Sequence, residues 1–407
     1  MWRRRPRADT PLRTGEEGDG ALRIHGSAAR HRRVGRLLRA NEDQTRPNAR
    51  LQFRLLAGAA ATEQNHLNVP FVKPTNMKTA FSSPGNWPIF EDRGPIDRSP
   101  QDKSSKVLIM GSGDPNPNPY RYGPALAVAV IVNDYPYFID TGEGWRRALG
   151  KSVQSQDAID LYTVMDTANM KYMFLTHLHE DHMVGLPSFI YNPYKFSSNL
   201  PQADKKVYGP AGVDDMMAHI NAAWRIDRNE LMQGSTVAPA DGSTAVGIPV
   251  WPHVDVDGRR IFEDDNVLVE AFPTKHGFLE NTHAYRFTTK PDNRVLVFGG
   301  DGRYSERLVS AAKNADILFI EGITRKTIKY APWGGDSEKM KVAVIGAYHM
   351  FPSDMKKVQD ESGVNSIVMV NAQNYNSPED FDRLSVFQEM IDEGVTNILQ
   401  ASDGDLY

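Results

Sequence analysis

The sequence predicts a layered α/β domain. Short apolar runs first follow one another as in a strand meander, then alternate with stretches of helical period. One run, Ala125 to Val132, is continuously apolar, as expected of a strand buried on both faces. A third observation places chemistry at a strand end, because three histidines and an aspartate crowd into Thr176–His182 directly after the apolar run Tyr172–Leu175.

Residues 1–60 stand apart. The segment 1–54 holds 14 Arg, 6 acidic residues and no Lys, a surplus of +8, so a chain of net charge −4 leaves −12 on the remainder. An Arg-rich stretch without hydrophobic period predicts a disordered basic extension. A nucleic-acid arm and a transit-like segment are its other readings. The apolar run from Leu55 to Ala61 is short for a signal-peptide core and far from Met1. Residues 61–104, rich in Pro, Asn and Ser, predict an extended lead-in, and residues 105–407 the folded domain.

Within that domain Val107–Met110 reads as a strand stopped by Gly111-Ser112-Gly113. Tyr135-Pro136 reads as a turn, and Tyr137–Ile139 as a strand ending at Asp140-Thr141-Gly142. Further strands are predicted at Tyr172–Leu175, Val267–Phe272, His283–Thr288, Val295–Phe298, Ile317–Ile320 and Ile367–Val370. Helical period appears near 156–169, 212–224, 304–313, 352–362 and 378–392.

Composition excludes several classes. With no cysteine, disulfides and thiolate metal sites are out, and the redox compartment stays open. No apolar run approaches the roughly 18–20 residues of a spanning helix, so a membrane is not an expected partner. The acidic body disfavours nonspecific nucleic-acid binding. Oligomeric state is not fixed by the sequence, and a homo-oligomer stays open.

In an extended segment His177 and His179 point the same way, so both can hold one metal ion. Asp181 and His182 follow where the chain can turn toward a second ion. Imidazole and carboxylate suit zinc, and manganese or iron as well. A solvated His-rich loop is the bland alternative, disfavoured because clustered imidazoles repel when protonated. Tyr191, Tyr194, Trp224 and Trp251 read as packing residues or as an aromatic rim for an aryl or acyl group. His66, His219 and His253 lack a partner motif and read as surface or packing residues, and His283, the weaker alternative to His276 as a ligand, lies inside a predicted strand and reads as structural.

The run His177-Leu178-His179-Glu180-Asp181-His182 resembles the His-x-His-x-Asp-His signature of the metallo-β-lactamase superfamily. Its surroundings narrow the likeness to the ribonuclease Z and arylsulfatase-like branch. They are Gly111–Pro117, Arg121–Ala125, Phe138–Gly144, Lys275-His276-Gly277, Gly299-Gly300-Asp301-Gly302 and Ala315–Glu321, spread over about residues 106–375. The resemblance implies an αββα sandwich and a hydrolase acting through a metal-bound hydroxide, most simply on a phosphodiester or related ester. The substrate would be a small-molecule or nucleic-acid ester, and the cofactor up to two zinc ions. It also implies that His177, His179 and His276 hold the first ion, Asp181 and His182 the second, and Asp301 bridges them, with Asp181 orienting the nucleophilic water. A β-lactamase or lactonase opening a cyclic amide or ester is an alternative, and a noncatalytic metal-binding scaffold another.

Two departures from the family pattern matter. After the strand Ile367–Val370 the family places a histidine ligand, and here the residue is Asn371, whose amide oxygen is a weaker donor. His349 occupies the place of the other C-terminal histidine and is expected to act as general acid, with replacement of the missing ligand and a structural role as its alternatives. The second departure is the 24-residue interval between His276 and Asp301, which has room for two strands and a turn but not for the long basic arm of common ribonuclease Z enzymes.

Overall fold

A computed structural model describes residues 105–115, 126–153, 164–165, 169–196, 205–234, 243–251, 258–373 and 383–407, all within a unit running from Pro70 to Tyr407. The expectations for residues 1–60 and 61–104, for most of the helix at 156–169, for Arg121–Ala125, and for His66 and His253 lie outside the described residues.

Two sheets carry the architecture. The first contains β1 (Lys106–Gly111), β2 (Ala127–Val132), β3 (Tyr135–Ile139), β4 (Tyr172–Phe174), β5 (Lys205–Gly209) and β6 (Ala245–Pro249), hydrogen-bonded in sequence order. The second contains β7 (Arg259–Glu263), β8 (Val267–Pro273), β9 (His283–Thr289), β10 (Val295–Phe298), β11 (Ile317–Ile323), β12 (Ser366–Gln373) and β13 (Ile398–Gln400), again in sequence order. Each sheet begins antiparallel and turns parallel, at β3–β4 in the first and β10–β11 in the second. Parallel pairing needs crossovers, and helices supply them. They are α1 (Trp145–Val153), α2 (Glu180–Met183), α3 (Leu186–Phe196), α4 (Val213–Ala223), α5 (Arg225–Gly234), α6 (Glu306–Ala312), α7 (Arg325–Ile328), α8 (Glu338–Ile345), α9 (Pro352–Ser362) and α10 (Arg383–Asp392).

Residue alternation makes the layers. In β2, Val128, Val130 and Val132 join Val269, Phe287, Phe298 and Phe319 of the second sheet in one core between the sheets. Their neighbours Ala127, Ala129 and Ile131 face outward and pack with Trp145, Phe189 and Met217 of the helices. On the far side Val297, Leu318 and Met369 pack with Leu308, Met355 and Met390. Helix, sheet, sheet, helix is the predicted αββα sandwich.

One local expectation is corrected. Tyr135-Pro136 is not the turn. The two-residue hairpin loop is Asn133-Asp134, both left-handed with φ of 49° and 62°, a conformation that Asn and Asp tolerate. Pro136 instead lies in β3 opposite Ile131. Its missing N–H does no harm there, because pairing with β4 begins only at Phe138.

Candidate metal centre

Strands β3, β4, β8, β10 and β12 all deliver functional side chains at their carboxyl ends, the edge where open α/β sheets place ligands. The segment 176–182 leaves β4, His276 follows β8, and Asp301 follows β10. Asn371 lies within β12, where the register against β11 shifts, and takes φ 48°. Asp140 leaves β3 with φ 51°. Left-handed backbone turns these two short polar side chains out of the strand direction, and Asn and Asp are the side-chain-bearing residues that adopt it most readily.

The imidazoles converge. His179 Nδ1 lies 3.1 Å from His177 Nε2 and 3.1 Å from His276 Nε2. Two nitrogens bound to one tetrahedral zinc ion stand about 3.3 Å apart, so this spacing already fits an ion. His177, His182 and Asp301 form a second group, and His276, Asp301 and His349 a third, each with its donor atoms within 4.8 Å of one another. Asp301 is common to the second and third groups. His177 is common to the first and second groups. Asp181 Oδ2 lies 3.6 Å from His182 Nε2.

Hydrogen bonds behind the cluster fix which nitrogen faces inward. The carbonyl of Tyr348 lies 2.7 Å from His276 Nδ1, and Asp140 Oδ2 lies 2.8 Å from His182 Nδ1. A proton held on each Nδ1 leaves the Nε2 lone pair for the centre. Asp140 is itself anchored by the N–H and hydroxyl of Thr176, at 2.8 and 2.7 Å.

Electrostatics sort the histidines into two kinds. Burial, reinforced by the charge of His182, holds His177 well below its ordinary pKa, and burial lowers His179 and brings His276 to about 4. These three are neutral donors at neutral pH. Burial opposes protonation of His182 as well, but the charges of Asp301 and Asp181 outweigh it and leave its pKa well above the ordinary value. A buried cluster that holds acids and imidazoles at this spacing suits a cation in place of those protons.

Asn371 reaches the second group. Its Nδ2 donates to Asp301 Oδ1 at 2.6 Å and lies 3.3 Å from His182 Nε2. Turned by half a rotation, the same amide would offer Oδ1 to a cation there.

Two residues went unassigned in the sequence. One is Asp140. The other is Glu321, buried in β11, whose Oε2 lies 3.2 Å from His349 Nδ1. Its Oε1 accepts from the N–H of Gly302 and of Met350, at 3.1 and 3.0 Å. Burial raises the Glu321 carboxyl to about 7, and the neighbouring His349 offsets part of that rise. Burial opposes protonation of His349, but Glu321 more than compensates and raises it. The signal for Glu321 was present in the strand Ile317-Leu318-Phe319-Ile320-Glu321-Gly322-Ile323, where one carboxylate interrupts an apolar run. Of the aromatic residues singled out from the sequence, Tyr191, Trp224 and Trp251 are not the rings on the cluster, and the side chain of Tyr194 lies outside the described residues. Tyr191 stacks on Trp224 at 5.9 Å and Trp251 is exposed. His219 is exposed, and His283 is buried in β9.

Comparison with known proteins identifies the family. A model of the β-lactamase superfamily domain matches residues 137–370, more than half of the chain. The chain belongs to the metallo-β-lactamase superfamily. Within the superfamily it falls in the ribonuclease Z-like branch. Ribonuclease Z of Streptococcus thermophilus is 31% identical over 231 residues, which cover 54% of this chain and 70% of that protein. Ribonuclease Z of Leuconostoc mesenteroides is 24% identical over 261 residues, covering 56% and 76%. Among solved structures, unliganded yeast PDE1 aligns with a TM-score of 0.51 at 13% identity, over 75% of this chain and 99% of that one, a likeness of fold.

Proposed function

We propose that this metallo-β-lactamase-fold hydrolase cleaves a phosphodiester or related ester of a nucleic-acid or small-molecule substrate. His177, His179 and His276 would hold one divalent ion, most simply zinc, and Asp181, His182 and Asn371 a second, with Asp301 shared. Bound there, the metal supplies Lewis acidity and lowers the pKa of water toward neutrality. The observation that carries the reading is the placement of Asp301, with an oxygen 3.3 Å from His182 on one side and an oxygen 3.8 Å from His349 on the other.

The chain's own residues divide the remaining work. Asp181 is partly exposed at the rim of the cluster and can accept a hydrogen bond from an attacking water, which orients it. His349 carries the proton for the leaving oxygen. Glu321 orients that imidazole and stabilises its protonated form. Asp140 and the Tyr348 carbonyl hold His182 and His276 in the tautomers that face the centre. Kinship with the ribonuclease Z enzymes supports the phosphodiester reading, and the pairing of a proton carrier with Asp301 speaks against a scaffold that only stores metal.

A panel of bis(p-nitrophenyl) phosphate, p-nitrophenyl sulfate, a lactone and nitrocefin tests it, alongside a metal count. Turnover of the phosphodiester is expected, falling by several orders of magnitude in Asp301→Ala. Turnover of the lactone or nitrocefin alone would replace the reading. Retention of more than a tenth of kcat by Asp301→Ala at unchanged metal content would remove Asp301 from it.

A further inference from the structure

Three aromatic side chains gather beside His276 and His349 without being needed to build the cluster. Tyr348 stands edge-on to His276, with ring centroids 5.4 Å apart and planes at 90°. Phe278 and Trp333 each stand nearly perpendicular to Tyr348, at 6.0 and 5.6 Å with planes at 81° and 88°. Trp333 also approaches His349, at 6.2 Å. Edge-to-face contacts of this kind fix ring orientation and engage at most one face of one ring in each pair. Phe278 is 93% exposed and Trp333 37% exposed. An apolar ring that far into water buries almost nothing of its own fold, so packing does not explain Phe278.

The scaffold under the rim is well determined. Between β11 and α9 the chain makes a small helical hairpin, α7 and α8, around a core of Ile323, Ile328, Ala331, Ile345 and Phe351. Lys341 donates to the carbonyls of Lys329 and Ala331 at 2.9 and 2.7 Å, which pins the loop that carries Trp333. Thr324 and Thr327 cap α7, and Ser337 caps α8. At its far end the N–H of Gly277 donates to the Ala347 carbonyl at 2.9 Å, tying the hairpin to the turn that holds His276 and Phe278. Two separate chain segments thus bring rings to one place beside the proposed proton carrier.

We infer that Phe278, Trp333 and Tyr348 form a stacking subsite for a planar aromatic group of the ester substrate, either a nucleobase or a simple aryl ring. The inference rests on the ester-hydrolase reading and adds the substrate's recognised part. Stacking fits these residues because every base or aryl ring offers a π-face, whatever its hydrogen-bonding edge. It also fits the short interval between His276 and Asp301, which β9 and β10 fill. Recognition here is local to the scissile group and needs no distant arm.

Calorimetric titration of the purified, metal-loaded full chain tests the subsite with three probes of like charge, adenosine 5′-monophosphate, phenyl phosphate and ribose 5-phosphate. At least one aromatic phosphate should bind tenfold or more tightly than ribose 5-phosphate, and which one does so tells a nucleobase from an aryl ring. That ratio should fall to near one in Phe278→Leu combined with Trp333→Leu, which keeps apolar bulk but removes the rings. Trp333→Phe should retain most of the preference. Equal binding of the three probes by the wild-type chain overturns the subsite and leaves the hydrolase reading standing. So does a preference that survives loss of both rings. No binding of any probe, together with no turnover of any ester, overturns both.

Discussion

At the scale of single residues, Asn371 stands where the sequence resemblance implies a histidine ligand, and its proposed role is measurable. Its amide stands against Asp301 and His182, within reach of the second site proposed above. Imidazole is the stronger donor to zinc. Histidine is also among the residues that tolerate the left-handed backbone found here, so Asn371→His need not disturb the strand. Equilibrium metal titration is expected to show a second site at least tenfold tighter in the variant, about 1.4 kcal/mol. Equal affinity in the two proteins would mean that residue 371 does not reach the ion. His283 offers a test of a different kind. It is fully buried in β9, and neither ring nitrogen has a hydrogen-bond partner among the described residues. Burial lowers its pKa from 6.5 to about 4. Above pH 6.5 neither folded nor unfolded chain protonates it. As pH falls from 6.5 toward 4 the unfolded chain takes up a proton that the folded chain refuses, so stability is lost over that window, by roughly 3 kcal/mol at its end. Denaturant unfolding of wild type and His283→Met between pH 7 and pH 4 should show a smaller acid loss in the variant. Parallel losses would locate the acid sensitivity elsewhere.

At the scale of elements, the turn from β8 to β9 depends on one glycine. Gly277 has φ 58°, and a Cβ there would overlap the ring of Tyr348. Gly277→Ala should therefore destabilise the protein by about 2 kcal/mol and weaken metal binding through displacement of His276. Thermal melts and metal titration check this, and an unchanged variant would show that Tyr348 can move aside. The same scale shows what the sequence reveals and why. Strands with strong apolar runs were legible, and Val295–Phe298 matches β10 residue for residue. The polar edge strand β7, Arg-Arg-Ile-Phe-Glu, and the three-residue β13 were not, because their pairing is imposed by neighbours rather than by local pattern. The ligand run 176–182 was legible because its residues are adjacent. The Glu321–His349 pair was not, since 28 positions of chain separate the two and the α7–α8 hairpin brings them together, its end bonded back to β11 through Met350. Asp140 escaped for the same reason, its partner His182 lying across the β3–β4 junction.

At the scale of the whole molecule, the candidate centre sits on the seam of the sandwich. The segment 176–182 belongs to the first sheet's edge, while His276, Asp301 and Asn371 belong to the second sheet's edge. Its donors run from residue 177 to residue 371, so no partial fold contains the set. This has a consequence in time. A cation that needs both sheets in place can bind tightly only after the main folding barrier has been crossed, and interactions absent from the transition state slow unfolding without speeding folding. Rapid-mixing measurements on apoprotein with and without zinc should give refolding rates equal within about twofold, and unfolding at least tenfold slower with metal. Faster refolding with metal would mean that the His177–His182 segment captures its ion early and that the first sheet organises around it. The expected result makes the ion a latch set after the halves have met, so the lifetime of the native state would follow the metal supply while its rate of formation would not.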